Sequence, residues 1–247
     1  MNVLLYDGSF EGLLTALYIG LKKNLPNLRI QVNDVYRQDL FSQVEMVDTD
    51  SWVSRRFGEL IRRELSSQAL RHIYHVYLSE RDDAATLLLP FLMKGFVIGP
   101  GVNGLMADPV VQPVLSLSRQ VSRETHRLQG LIRFQELENG LLYSRFEPDF
   151  HQTPLLAFHF AGRLPSNPWM LHDLKRELAA CWDTRQWTLH DLPAVEMPDL
   201  PIKETDFQQL WKTYFSHIAV RQRNNPRVQR SFMPKKYWKH LIEKPGG

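Results

Sequence analysis

The hydrophobic positions of this chain change period along its length. Val3-Leu4-Leu5-Tyr6 is an unbroken apolar run, the pattern of a short buried strand. After the turn Asp7-Gly8-Ser9, apolar residues recur at Phe10, Leu13, Leu14, Leu17, Tyr18 and Leu21. That spacing predicts a helix to about Lys23 with Ser9 as its N-cap. Two short strands are expected over 30–35 and 44–47. Thr49-Asp50-Ser51 then caps a helix that runs through Trp52, Val53, Phe57, Leu60, Ile61 and Leu65. Its other face carries Arg55, Arg56, Arg62 and Arg63, either as a solvated face or as a second nucleic-acid contact. Helices over 69–78 and 84–94 precede the glycine-rich stretch 95–104.

Residues 110–129 form a long helical pattern through Val114, Leu117, Val121 and Leu128, with Gly130 in position to end it. Strands over 131–137 and 141–146 flank Glu138-Asn139-Gly140, whose Asn-Gly pair signals a hairpin. A short helix over 154–163 follows, then further antiparallel strands over 169–172, 178–182 and 187–190, the last two joined through Asp183-Thr184-Arg185-Gln186. The stretch 193–201, with Pro193, Pro198 and Pro201, reads as a linker. A helix over 205–220 leads into the C-terminal segment. The class is α+β: a mostly helical N-terminal half, an antiparallel sheet over about 131–190 and a basic helical C-terminal segment. A single domain over 1–247 is expected, with a helical lobe over 1–104 that holds the first β-α unit, a helix plus sheet over 105–192, and the linker and tail over 193–247.

Charge sharpens this outline. Residues 211–247 carry nine Lys and Arg against one acid, Glu243, a net of +8 in a chain whose formal charge is +3, so the rest is net −5. Tyr214, Phe215, Phe232, Tyr237 and Trp238 are interleaved with those cations. Cations beside ring faces suit a phosphate backbone with bases to stack on. The same pattern fits a helical segment whose aromatics dock on the body while its cations stay in water. A single cysteine, Cys181, excludes an intrachain disulfide and a Cys-ligated iron–sulfur cluster or zinc ribbon made by this chain alone. The N-terminus lacks the basic region of a signal peptide, and no apolar run approaches the roughly 20 residues that span a bilayer. A cytoplasmic protein with no membrane partner is the expectation.

Candidate chemistry falls in two places. Asp7 and Glu11 flank a strand–turn–helix junction that could serve metal binding or acid–base work, or simply cap the helix. Two carboxylates there oppose a phosphate, and neither GxGxxG nor GxxxxGK[ST] is present. His72 and His75 have ligand spacing but no third ligand nearby in sequence, which makes them packing and surface residues. The second place lies between Glu124 and Asp173: Glu124-Thr125-His126-Arg127, Asp149 with His151, His159 with Arg163, and His172-Asp173. These could form a His–carboxylate acid/base site built on His126, His159, Glu124 and Asp149, a phosphate clamp, or a satisfied polar network. Glu124 and His126 diverge by about 200° on a helix and cannot share one metal. HExxH and HxE…PCxxC are absent.

Several ordered motifs carry a resemblance across nearly the whole chain. They are Tyr6-Asp7-Gly8-Ser9-Phe10-Glu11-Gly12, Glu124-x-His126-Arg127-x-x-Gly130-Leu131-x-Arg133-Phe134, Pro148-Asp149, His159-Phe160-x-x-Arg163 and His172-Asp173-x-x-Arg176. The last is Arg223-x-Asn225-Pro226-Arg227-x-Gln229-Arg230-x-Phe232-Met233-Pro234-Lys235-x-Tyr237-Trp238. With these the chain resembles a bacterial family of DNA metabolism or DNA repair proteins whose domain is of unknown function. That family is linked to a radical S-adenosylmethionine protein, and some members are joined to a uracil-DNA-glycosylase-like domain. The family has Asn where this chain has His151. The resemblance implies a DNA-binding accessory protein in repair or modification, with DNA and a radical S-adenosylmethionine protein as partners. No cofactor belongs to this chain on that reading; the iron–sulfur cluster is the partner's. The DNA contacts expected are Arg223, Asn225, Arg227, Arg230, Lys235, Lys236 and Lys239, with Arg127, Arg133 and Arg163 from the middle and Tyr237 or Trp238 as stacking platforms. The rivals are a DNA-processing enzyme using the middle constellation and a protein-interaction module.

Overall fold

The computed structural model of the chain describes residues 2–25, 27–37, 42–193, 201–218 and 226–243. Its contacts divide into two compact units, Met1–Ser122 and Arg123–Gly247. The division falls after Ser122 rather than near the segment edges expected at 104 and 192.

In the first unit, β1 (Asn2–Tyr6) is the middle strand of a three-stranded parallel sheet, between β2 (Leu28–Val32) and β3 (Gln43–Met46). Helix α1 (Phe10–Lys23) makes the crossover that parallel pairing of β1 with β2 requires. The other helices of the unit are α2 (Ser51–Glu64), α3 (Ser67–Leu78), α4 (Ala84–Ile98) and the first half of α5 (Val111–Leu131). Leu4, Leu13, Leu17, Ile30, Ile61, Ile73, Leu88, Phe91 and Leu92 are almost fully buried here. Both helix caps read from the sequence are made: Ser9 accepts from Gly12 N, and Asp50 accepts from Trp52 N and Val53 N.

Helix α4 is longer than the pattern suggested. It continues to Ile98 and into a 3-10 turn, so that Ala84–Gly104 is long and apolar enough, by length and composition, to cross a membrane. A core helix passes the same test, and Leu88, Phe91 and Leu92 of α4 are buried in the unit.

The second unit is built on a five-stranded sheet of order β4-β5-β6-β7-β8, comprising Gln135–Glu136, Leu142–Phe146, Trp169–Asp173, Leu178–Trp182 and Trp187–Asp191. It is mixed rather than wholly antiparallel. β5 and β6 run parallel, Leu142 opposite Trp169 through Phe146 opposite Asp173. The cause is α6 (Thr153–Arg163), which carries the chain between them, whereas a tight turn would have produced an antiparallel neighbour. The expected hairpins are present. Gly140 takes φ +79 and donates to Leu137 O, and Leu137 N donates to Leu141 O. At the other hairpin Asp183 N donates to Gln186 O. Two further helices, α7 (Ile202–Ile218) and α8 (Pro226–Phe232), and a 3-10 turn over Lys235–His240 complete the unit. The linker read at 193–201 lies mostly outside the described residues.

Helix α5 does not stop at Gly130 but runs to Leu131. Arg133 supplies the reason: its guanidinium donates to Gly130 O at 2.8 Å and Ile132 O at 3.2 Å, partnering carbonyls at and just past the helix end without a left-handed glycine.

The β1–α1 junction has little slack. Asp7 Oδ1 accepts from Ser9 N (2.9 Å) and Ser9 Oγ (2.7 Å), and Oδ2 accepts from Thr49 Oγ1 (2.8 Å). A Cβ at Gly12 would overlap Asp7 Oδ1 and come within 2.7 Å of Thr49 Oγ1. Gly12→Ala is therefore expected to displace Asp7 and lower stability by about 1–3 kcal/mol, despite the better helix propensity of alanine. Urea unfolding of the variant against the parent measures this; equal or higher stability would contradict the close approach.

Candidate functional site

The polar residues of the middle segment converge on one short loop, 147–152. Glu124, on α5, sits in a slot of the apolar stripe Val114, Leu117, Val121, Leu128 and Leu131 and is 4% exposed. Its Oε1 accepts from Asp149 N at 2.8 Å and Tyr237 Oη at 2.5 Å. Its Oε2 accepts from Phe150 N at 3.0 Å and Gln152 Nε2 at 3.1 Å. Gln152 is itself fully buried and its Oε1 accepts from Thr125 Oγ1 at 2.6 Å. A carboxylate offers about four acceptor positions, and all are taken.

The same loop is gripped from its carbonyl side. Arg176 donates to Pro148 O at 3.4 Å and to Asp149 O at 3.1 Å, and Lys175 Nζ donates to Asp149 O at 2.9 Å. Arg176 is held in turn by Asp173, at the end of β6, through a 3.0 Å ion pair. Asp173 is fully buried; burial lifts its carboxyl above the usual range, although Arg176 pulls the other way. Thr153 Oγ1, Lys175 N and Arg176 N also donate to it.

Tyr237 is the piece that joins the C-terminal segment to this network. It is 2% exposed, and burial followed by the adjacent Glu124 pushes its phenol above its ordinary value. Tyr237 and Leu241 belong to the same apolar cluster as Leu128, Phe146, Phe160 and Trp169. Lys236 ion-pairs with Asp149, stands 3.7 Å from Glu124 Oε1 and lies 4.6 Å from the centre of the Tyr237 ring. Lys239 Nζ meets Glu147 at 2.7 Å. Burial raises the Glu147 carboxyl, but Lys239 and His240 more than offset this and leave it below its ordinary value.

These contacts rearrange the residues singled out from sequence. Glu124 and Asp149 do come together, with Lys236 between them. His126 is exposed on α5 while Glu124 is buried, the divergence their spacing imposes. Among the described residues neither His126 nor His159 is hydrogen-bonded to either carboxylate. The His159 ring packs edge-on to Phe160 at 4.9 Å, its Nε2 is buried without a hydrogen bond, and burial holds its pKa below the ordinary value. A saturated carboxylate with no histidine on it is a brace, and the acid/base arrangement of His126, His159, Glu124 and Asp149 is not assembled. His172, fully buried, is hydrogen-bonded through Nε2 to Leu192 O (3.0 Å) and through Nδ1 to Tyr143 Oη (2.8 Å), a packing histidine.

The expected DNA contacts divide as well. Tyr237 is buried and cannot serve as a stacking platform. Trp238 is half-buried, its Nε1 donates to Met233 O, and Lys235 lies 5.9 Å from its ring centre. Arg133 is engaged by Glu243 at 2.8 Å as well as by the end of α5. Lys236 and Lys239 are paired with acids. Arg127 is half-buried, Arg163 exposed. Arg227, Arg230 and Lys235 are exposed on and just beyond α8, beside Phe232 at 75% exposure. Arg223 and Asn225 lie outside the described residues.

In the first unit, His72 Nδ1 and His75 Nδ1 both meet Ser118 Oγ, at 2.8 and 3.0 Å. Burial lowers both, His72 to about 4, so they are neutral packing residues at ordinary pH. Glu11 accepts from Ser51 Oγ at 2.9 Å, which links the first turns of α1 and α2.

Sequence reading missed the buried Gln152–Thr153 pair and the docking role of Tyr237. One signal for the latter was available: a glutamate in an apolar slot of an amphipathic helix requires buried donors from elsewhere in the chain.

The arrangement defines an α+β protein in which a basic C-terminal segment is fastened to α5 and the loop before α6 through a buried carboxylate. The chain belongs to the DUF4130 family, a domain of unknown function, which matches residues 82–243. No curated protein matches the chain.

Glu124→Ala would strand four donors, and the expected loss is about 3–5 kcal/mol, read by urea unfolding. Tyr237→Phe, which removes one donor to a charged acceptor, should cost about 1.5–3 kcal/mol. Asp149→Asn, at a side chain 64% exposed, should stay within about 1 kcal/mol. A similar loss for all three would refute the brace.

Proposed function

We propose that the protein is a DNA-binding accessory factor that works in DNA repair or modification beside a radical S-adenosylmethionine enzyme. The observation that supports this is the exposed cluster Arg227, Arg230 and Lys235 with Phe232, in the segment that carries +8 of the chain's charge. Cations on a short helix beside an exposed ring can follow a phosphate backbone and offer a face to a base. The pairing of Lys236, Lys239 and Arg133 with carboxylates makes this footprint smaller than the charge count alone suggests. Cys181 is the one cysteine, half-buried with its thiol pushed up by burial, so the partner must bring the cluster that radical chemistry needs. The motifs that resemble the DNA repair family support the same assignment, and work on chromosomal DNA would place it in the cytoplasm.

Fluorescence anisotropy with labelled single-stranded and duplex DNA over a salt series tests the reading. Reversing both arginines, Arg227→Glu with Arg230→Glu, should weaken binding and reduce the log–log salt slope by about two units. Lys239→Ala, at a residue already paired with Glu147, should change the slope by well under about one unit. No binding by the parent chain, or a slope indifferent to the arginine reversals, would overturn the proposal.

A further inference from the structure

The second unit contains two pockets of different chemistry that share part of their lining and are taken together as the two ends of one candidate cleft. The larger end, about 780 Å³, is open and mainly apolar, lined by Phe134, Leu142, Phe207, Leu210 and Ile242. That volume is within the range of small-ligand sites. Phe134 is held edge-on against Phe160 at 5.1 Å, so its ring is a fixed wall, whereas Phe207 and Leu210 of α7 stand well exposed. Glu204 and Gln208 supply hydrogen-bonding groups at this end. Glu204 Oε1 accepts from Gln208 Nε2 at 2.9 Å, which leaves acceptor positions on both side chains for ring N–H or amino donors.

The smaller end, about 190 Å³, is polar and cationic, with Arg145, Lys239 and His240 in its lining. The two ends share Arg133, Gln208 and Ile242 and so adjoin. Arg133 and Lys239 bring carboxylate partners with them, Glu243 and Glu147. Arg145 has no carboxylate at ion-pair distance among the described residues. The His240 side chain is only 10% exposed. Its Nε2 stands 3.4 Å from Glu147 without hydrogen-bond geometry, and its Nδ1 is buried with no hydrogen bond. A buried ring with unmet polar atoms beside a cation is what an anionic ligand group would complete.

An aromatic, apolar compartment that adjoins a compact cationic one has the polarity of a nucleotide. We propose that the cleft binds one nucleotide of a single-stranded DNA segment, with the base against Phe134 and Phe207 and the phosphate at Arg145. The inference rests on the DNA-binding reading only for the source of the nucleotide. The chemistry of the cleft would suit a free nucleoside monophosphate equally well.

Isothermal titration of the full chain separates these possibilities. The ligands are dTMP and dAMP, the matching nucleosides, and a short single-stranded oligonucleotide. Saturable binding of a monophosphate is expected, weakened roughly ten-fold by Phe207→Ala, in line with loss of a stacking face. Arg145→Glu should weaken the monophosphate at least as much while leaving the weaker nucleoside binding unchanged; circular dichroism and Arg145→Gln guard against misfolding. Oligonucleotide binding should fall with Phe207→Ala and, separately, with the α8 reversals, which should leave the monophosphate untouched. Absence of monophosphate binding up to millimolar concentration, or binding indifferent to both cleft substitutions, overturns the cleft and leaves the α8 reading to its own salt slope. Monophosphate binding together with oligonucleotide binding indifferent to Phe207→Ala overturns DNA as the source.

Discussion

The second unit depends on one buried carboxylate. Taking Glu124 out of water is costly by several kcal/mol, and that cost is met only if every lone pair is occupied with good geometry. Its four donors come from two separate parts of the chain: two backbone N–H groups and a glutamine from 149–152, and the phenol of Tyr237 from the C-terminal turn. Neither of these parts can shift without leaving the charge partly unpaired. The carboxylate therefore fixes the register between α5, the loop before α6 and the tail. Apolar burial alone specifies such a register poorly, because Leu128, Phe160 and Leu241 tolerate small displacements in a way that directed hydrogen bonds do not.

The loop itself is a second consequence. A connecting segment that passes through the interior must satisfy its own peptide groups. Residues 148–152 do so with side chains of opposite charge on opposite sides: Glu124 takes the N–H groups of Asp149 and Phe150, while Arg176 and Lys175 take the carbonyls of Pro148 and Asp149. Asp173 holds Arg176 in place and ties the loop to the end of β6. Glu124, Pro148-Asp149, Asp173, Arg176 and Tyr237, scattered over more than a hundred residues, are brought together by this loop. They are parts of one scaffold, in which the Glu124 carboxylate is occupied by four donors and, among the described residues, neither His126 nor His159 is hydrogen-bonded to it.

Local rules carried much of the fold. Ser9 and Asp50 cap their helices, the Asn139-Gly140 hairpin closes as its residues require, and strands 169–173, 178–182 and 187–191 lie where apolar and polar positions placed them. What local pattern could not supply was anything set by a distant partner. The parallel pairing of β5 with β6 is decided by the path of α6, not by the sequence of either strand. The helix end at Leu131 rather than Gly130 depends on a guanidinium two residues further on. The reach of α4 to Ile98 turns on Gly99, which takes φ +75 and so ends the helix where Gly95 does not. For the site the limit was sharper: residue type marked Glu124, Asp149 and Tyr237 as polar or aromatic candidates but could not say which would be buried against which.

Electrostatics shows the same limit with a functional consequence. Net charge is additive along a sequence, but the field that reaches a polyanion depends on which cations already face a carboxylate. Lys236 and Lys239 are next to Tyr237 in the chain, so once Tyr237 is driven into the core by burial and by Glu124, their side chains are carried to the rim where Asp149 and Glu147 stand. Such half-exposed pairs contribute little to stability and are screened by salt. Their effect is to lower the positive potential at the anchored turn. Arg227 and Arg230 precede that turn on α8, where both residues are exposed, as is Phe232. The buried tyrosine thus sets where the lysines of the anchored turn meet their carboxylates, and the charge count of the segment overstates the positive potential at that turn.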